Sequence, residues 1–294
     1  MKVTTKPIKY YGGKSYLAAR IVEQFPKHLH YVEPYAGGLS VLLERDPNDQ
    51  RLWVAEKSEL SGVSEVINDL NSDLANFWKF LACPVQFPNF LRQVQATPLS
   101  QEHFNDAGLI LDDDSGADDL SRAVNFFILA RQSRAGTFKG FTSLTRSRTR
   151  RGINGNASEW LGAVEGLPEI HSRLLPVVIL NDDALKVIRL QDTQTTLFYL
   201  DPPYLHETRR TKDVYALEMS DNDHRNLIAY LVNSVKGKVI LSGYHSDLYD
   251  TLHEKHGWRL LEFDLANHAA GGKTKRRMTE CLWLNFPDSE RAVR

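Results

Sequence analysis

Apolar positions along the chain change their period twice. In "SYLAARIVEQF" (residues 15–25), Leu17, Ile21 and Phe25 recur every four residues with Ala18 and Val22 beside them. That spacing predicts an amphipathic helix, with Ser15 as its N-cap. "HYVEPYAGG" then reads as a short strand closing in a glycine turn, followed by a helix through Val41 to Leu43. "INDLNSDL" places Asp69 at the end of a second strand, and "NSDLANFWKFLA" predicts a helix with Leu74, Trp78 and Leu81 on its buried side. "DLSRAVNFFILARQ" predicts another helix. From residue 177 onward, short apolar runs return: "VVIL", "LFYL", "KVILSGY", "WRLLEFDL" and "CLWLNF". Helical patterns in "DHRNLIAYLVNSV" and "SDLYDTLHEKHG" lie between some of them.

Strands alternating with helices predict an α/β fold built on a mostly parallel, Rossmann-like sheet. The last two strands, close in sequence, predict an antiparallel hairpin at the sheet edge. Residues 82–176 show helices and a long basic loop but no clear strands. They read as a mainly helical domain inserted between 1–81 and 177–294, which together make the sheet-bearing domain.

One strand ends abruptly. "LFYLDPPYL" (197–205) is apolar enough for burial on both faces, yet it runs into Asp201, Pro202, Pro203 and Tyr204. Neither proline has an N–H to donate, so the ladder stops there and leaves an acid and an aromatic at the carboxyl edge. In open α/β sheets that edge is where ligands bind.

Composition narrows the class only modestly. The 294 residues are 42% hydrophobic and 25% charged, with no apolar stretch long enough to span a bilayer and no signal-peptide core at the N-terminus. A cytoplasmic location is the expectation. Two cysteines, Cys83 and Cys281, make no disulfide framework, and no Cys/His spacing suggests a structural zinc. The net charge of −1 hides a strong asymmetry. Residues 131–151 carry Arg131, Arg134, Lys139, Arg146, Arg148, Arg150 and Arg151 with no acid among them. Lys273, Lys275, Arg276 and Arg277 form a second cluster. Cations interleaved with Gly, Ser and Thr suit phosphate contact and so point to nucleic acid. Phe138 and Phe141 in the first cluster serve equally as intercalating side chains or as anchors for the loop.

Two further segments carry candidate ligand chemistry. The Gly37-Gly38 pair of "EPYAGGLSV" lets backbone approach a ligand closely, and Asp69 can accept hydrogen bonds from a ribose diol. "IKYYGGKS" offers an aromatic pair, two glycines and Lys14 for an adenosine-like ligand bearing a carboxylate.

In their order along the chain, "KYYGGK", "EPYAGG", "NDLNSDL" and "DPPY" resemble the Dam-type (alpha-class) N6-adenine DNA methyltransferases. The likeness covers the first 80 residues and most of the chain after 177, including "VILSGYHSDLYDTL" and "RRMTECLWLNF". It implies transfer of a methyl group from S-adenosylmethionine to the exocyclic amine of a flipped-out adenine in double-stranded DNA. By the same resemblance, residues 82–176 are the target-recognition domain. Cofactor contacts fall to Tyr10, Lys14, Glu33, Gly37 and Asp69, and to one of Asp182 and Asp183, with Asp183 preferred because a small residue follows it. The catalytic segment is Asp201-Pro202-Pro203-Tyr204, and Arg131, Arg134, Lys139, Arg146 and Arg148 fall to DNA. No metal is implied, and a cognate restriction endonuclease is left open as a further partner. Leu39 stands where the family commonly has a second glycine. Cytosine-N4 enzymes more often carry Ser before Pro-Pro-Tyr, and RNA and protein-glutamine enzymes often carry Asn. Asp201 therefore argues against both alternatives, and the intact motifs argue against a non-catalytic DNA-binding scaffold.

Overall fold

The computed structural model describes residues 6–10, 12–54, 62–112, 116–143, 149–205, 218–266 and 277–292. Strands among them are β1 (His30–Glu33), β2 (Ser64–Asn68), β3 (Thr149–Arg150), β4 (Ile153–Asn154), β5 (Val177–Leu180), β6 (Thr196–Leu200), β7 (Lys238–Tyr244), β8 (Arg259–Ala266) and β9 (Arg277–Leu284). The chain forms two compact units, one of Met1–Val22, Gly37–Asn48 and Asp69–Asn181, the other of Glu23–Ala36, Asp49–Asn68 and Asp182–Arg294.

The first unit is mainly helical. Its helices include Ser72–Ala82, Phe87–Ala96, Gln101–Asp112, Asp119–Gln132, Gly155–Glu165 and Leu167–Leu174. Short polar side chains start several of them: Asn71 accepts from the amides of Asp73 and Leu74, and Asp118 from that of Ser121. The core is aromatic. Phe77 lies 5.9 Å from Phe127 in a stacked pair and 5.6 Å from Phe126, and Phe127 meets Trp160 at 5.2 Å. A bidentate pair from Arg122 to Asp73, at 2.7 and 2.9 Å, joins Asp119–Gln132 to Ser72–Ala82. The helix expected from residue 15 begins only at Ala18 and ends at Val22, so Ser15 does not cap it. The preceding residues form a turn instead, in which the Leu17 amide donates to the Lys14 carbonyl at 2.8 Å.

The second unit holds a mixed α/β arrangement. Its strands run in the order β2-β1-β6-β7-β9-β8; the first four are parallel, and β9 pairs antiparallel with both neighbours. All five residues of β6 are buried, as its unbroken apolar run requires. The C-terminal hairpin forms as expected, but its strands are not equivalent. Cys281, Leu282, Trp283 and Leu284 of β9 are fully buried beside β7, whereas β8 is left as the half-exposed edge. The more apolar strand takes the inner position because burial favours it by about 25 cal/mol per Å² of apolar surface.

Candidate active site

In the first unit the glycine turn is tied down from two sides. The Gly37 amide donates to Asp69 Oδ2 at 3.0 Å, and the Gly37 carbonyl accepts from Trp78 Nε1 at 3.2 Å. Gly37 has φ +47°, a conformation that costs other residues energy, and a Cβ on Gly38 would lie 3.2 Å from that of Tyr10. Leu39 also takes a left-handed backbone, φ 54° and ψ 30°, at the N-cap of helix Ser40–Glu44. This is the position at which the family that the sequence resembles commonly has a glycine. Here the backbone cost, about 1–2 kcal/mol, is offset by a side chain that is fully buried.

Asp69 uses both oxygens: Oδ1 accepts from the Asn71 amide at 3.0 Å. Burial raises its carboxyl above the ordinary range, and the two amides only partly oppose that. Burial, then the charge of Asp69, pushes the Tyr10 phenol up as well. Lys14 is buried, with Nζ 3.3 Å from the Gly12 carbonyl. A cleft of about 650 Å³ runs along this segment, lined by Lys9, Tyr10, Gly13, Gly38, Ser40 and Arg131. A glycine cradle beside a preoriented, half-buried acid has the close backbone and the acceptor that a ribose would need.

In the second unit, β1 ends at Glu33, buried and accepting from the Tyr31 hydroxyl at 2.6 Å. Asp183 caps helix Ala184–Gln191 by accepting from the Lys186 amide at 2.8 Å, while Asp182 pairs with the Lys186 ammonium. Burial raises the Tyr35 phenol, with Asp183 and Asp223 adding to it. One residue absent from the sequence reading organises this region. The buried Asn68 amide donates to the Pro34 and Asp182 carbonyls, each at 3.0 Å, and its oxygen accepts from the Asp182 amide at 2.9 Å.

The segment after β6 follows the predicted break. Asp201 leaves the strand half-buried, and Pro202 and Tyr204 are buried. The Tyr204 hydroxyl donates to Glu280 Oε2 at 2.9 Å, and its ring meets Tyr244 edge-on at 4.6 Å. Burial raises the phenols of Tyr199, Tyr204 and Tyr249, and the negative charge of Asp201 raises each further. Glu280, missed in the sequence, is thus the partner that fixes Tyr204. Glu280→Leu, which removes this acceptor from a buried phenol, is expected to lower the rate of methyl transfer about ten-fold, since losing a buried hydrogen-bond partner costs about 1–3 kcal/mol. Glu280→Gln, which still accepts, is expected to stay near the wild-type rate. Equal losses in the two variants, measured under saturating cofactor, would remove Glu280 from this role.

The expected DNA contacts divide. Arg134 and Lys139 are exposed, on a loop closed by the Arg134 amide donating to the Gly140 carbonyl at 3.0 Å. Arg131 instead donates to the carbonyls of Lys6 and Glu159, at 3.4 and 3.0 Å, and burial lowers its guanidinium to about 10. Phe138 packs on Phe126 at 5.1 Å and Phe141 on Phe104 at 5.7 Å, so both rings anchor the loop. Arg146, Arg148 and the basic cluster at 273–276 lie outside the described residues.

The mostly parallel α/β arrangement carries Asp-Pro-Pro-Tyr at the end of a buried strand, as the resemblance read from the sequence implies. The family model for D12 class N6 adenine-specific DNA methyltransferases matches residues 10–264, and the chain belongs to that family. Among curated protein sequences, none matches it. The protein is therefore an enzyme that methylates adenine N6 in DNA with S-adenosylmethionine as donor. Among the described residues, no helix is long and apolar enough to cross a membrane.

Proposed function

We propose that the chain is a site-specific methyltransferase acting on an adenine flipped out of double-stranded DNA, with Asp201 and the Pro202 carbonyl as acceptors for the two N6 hydrogens. The observation that carries this reading is the anchored segment after β6, where Glu280 holds Tyr204 and Asp201 stands among buried phenols. The adenine amine is a poor nucleophile because its lone pair is delocalised into the ring. Acceptors on both hydrogens favour the pyramidal nitrogen that can attack. Proline suits the second acceptor, because its fixed φ holds the carbonyl without adding a donor. Tyr204 supplies the ring against which the base rests.

S-adenosylmethionine, when bound, supplies a methyl group on a cationic sulfur, which leaves as a neutral thioether. Positive charge therefore moves onto N6, where the carboxylate of Asp201 stabilises it, and the transfer needs no metal. Tyr10, Lys14, Glu33, Gly37, Asp69 and Asp183 are the residues assigned to the cofactor. Residues 82–176 are assigned to target recognition, with exposed Arg134 and Lys139 on phosphates or bases and Arg131 in a supporting role. A cytoplasmic location and a cognate restriction endonuclease complete the reading.

Incubation with unmethylated duplex DNA and labelled S-adenosylmethionine, followed by nucleoside analysis and mapping, tests it. Label is expected only in N6-methyldeoxyadenosine and within one short sequence context. Label spread over all contexts, or preference for single strands, would overturn the site-specific duplex reading.

A further inference from the structure

A second cluster of side chains lies on the opposite face of β9 from Glu280. Cys281 is paired across the ladder with Glu262 of β8 and stands opposite Gly243 of β7. His245, two residues beyond Gly243, lies on the same face. Its Nε2 is 2.7 Å from Glu262 Oε1, and its Nδ1 is 2.9 Å from Asp250 Oδ1. One ligand atom each from His245, Glu262 and Cys281 falls within 4.8 Å of the other two. The geometry points to a zinc site formed by His245 Nε2, a Glu262 oxygen and Cys281 Sγ, with a water in the fourth position.

The donor set decides the metal class. A sulfur with an imidazole nitrogen and a carboxylate suits a borderline-soft ion and does not suit calcium or magnesium, which take oxygen. Asp250 holds the ring so that Nε2 faces the other two ligands, the outer-shell carboxylate usual for zinc-bound histidines. Bonds of about 2.0–2.3 Å need ligand separations of roughly 3.3–3.8 Å, so the 2.7 Å contact of His245 with Glu262 must open by about 0.6 Å while the distances to sulfur, within 4.8 Å, close by up to about 1 Å. Glu262 is exposed and long enough to supply that movement. Binding displaces one proton from the thiol and one from the imidazolium, both to solvent, and forms three metal–ligand bonds.

A bare ion pair of His245 with two carboxylates would explain those three residues; Cys281 Sγ lies 3.9 Å from the Thr279 carbonyl, at the limit of a hydrogen bond to sulfur. The site joins β7, β8 and β9 one residue from Glu280, so the ion would brace the strand that holds Tyr204. It takes no part in methyl transfer.

Cobalt(II) titration of the full-length, reduced, chelator-treated protein provides the test. One equivalent is expected to bind with a sulfur-to-cobalt charge-transfer band, to be displaced by zinc, and to raise the melting temperature. The band should vanish in Cys281→Ser and persist in Cys83→Ser. His245→Asn and Glu262→Gln, both at exposed positions, should weaken binding at least ten-fold, and Asp250→Asn should do so by about 10–100-fold. Absence of cobalt uptake by the folded wild type would overturn the inference. So would a band that survives in Cys281→Ser, or affinity unchanged in both His245→Asn and Glu262→Gln.

Discussion

Asp201→Ala is expected to lower the rate of methyl transfer by about 10³-fold while leaving cofactor affinity within about two-fold, because the carboxylate acts where charge appears rather than where the donor binds. Its surroundings make the loss large. Tyr199, Tyr204 and Tyr249 are buried phenols whose pKa values Asp201 helps to raise, so its field acts across a poorly solvated region. Asp201→Asn keeps an acceptor for one N6 hydrogen but removes the charge, and about 10²-fold is expected. Single-turnover rates with labelled cofactor separate the two contributions. A loss below ten-fold in Asp201→Ala would mean that positive charge on N6 is stabilised elsewhere.

Why could this acid be found in the sequence when its supports could not? Asp201 sits at a local discontinuity: an apolar run stops at two residues that cannot donate to a ladder, and the stop is visible without knowing any neighbour. The glycine turn and Asp69 were legible for the same local reason. Glu280 was not, because its role depends on β9 lying beside β7, 76 residues from Tyr204 in the chain. The cluster of His245, Glu262 and Cys281 was hidden likewise. No Cys/His spacing suggests it, since the ligands come from β8, β9 and the residue just after β7, and the order of these strands in the sheet is not their order in the chain. Charge runs mislead in the opposite direction. Arg131 belongs to the basic stretch by sequence, yet its guanidinium is spent on two backbone carbonyls. Only exposure distinguishes it from Arg134 and Lys139.

Asn68 is the strongest case of a residue whose importance is purely tertiary, and its replacement carries the largest expected effect on stability. "IND" reads as a strand end, and the aspartate beside it draws attention; the asparagine is fully buried and makes three hydrogen bonds to backbone. Its own carbonyl also accepts from the Ala36 amide at 2.8 Å. Asn68→Ala takes this partner from the buried Pro34 carbonyl and from the part-buried amide and carbonyl of Asp182. Each costs about 1–3 kcal/mol unpaired, and partial relaxation leaves a total of roughly 3–5 kcal/mol. At about 2–4 °C per kcal/mol the melting temperature should fall by roughly 10 °C. Asn68→Asp keeps the volume and the acceptor but turns a carboxylate towards the Pro34 and Asp182 carbonyls, so it should be no milder. Cofactor affinity should fall in both variants, because the bonds lost are those that place Pro34-Tyr35 against Asp182-Asp183. Thermal unfolding and a cofactor titration read the two effects separately. A melting temperature within about 2 °C of wild type would show that water replaces the amide, and that the clamp is not what positions the acids.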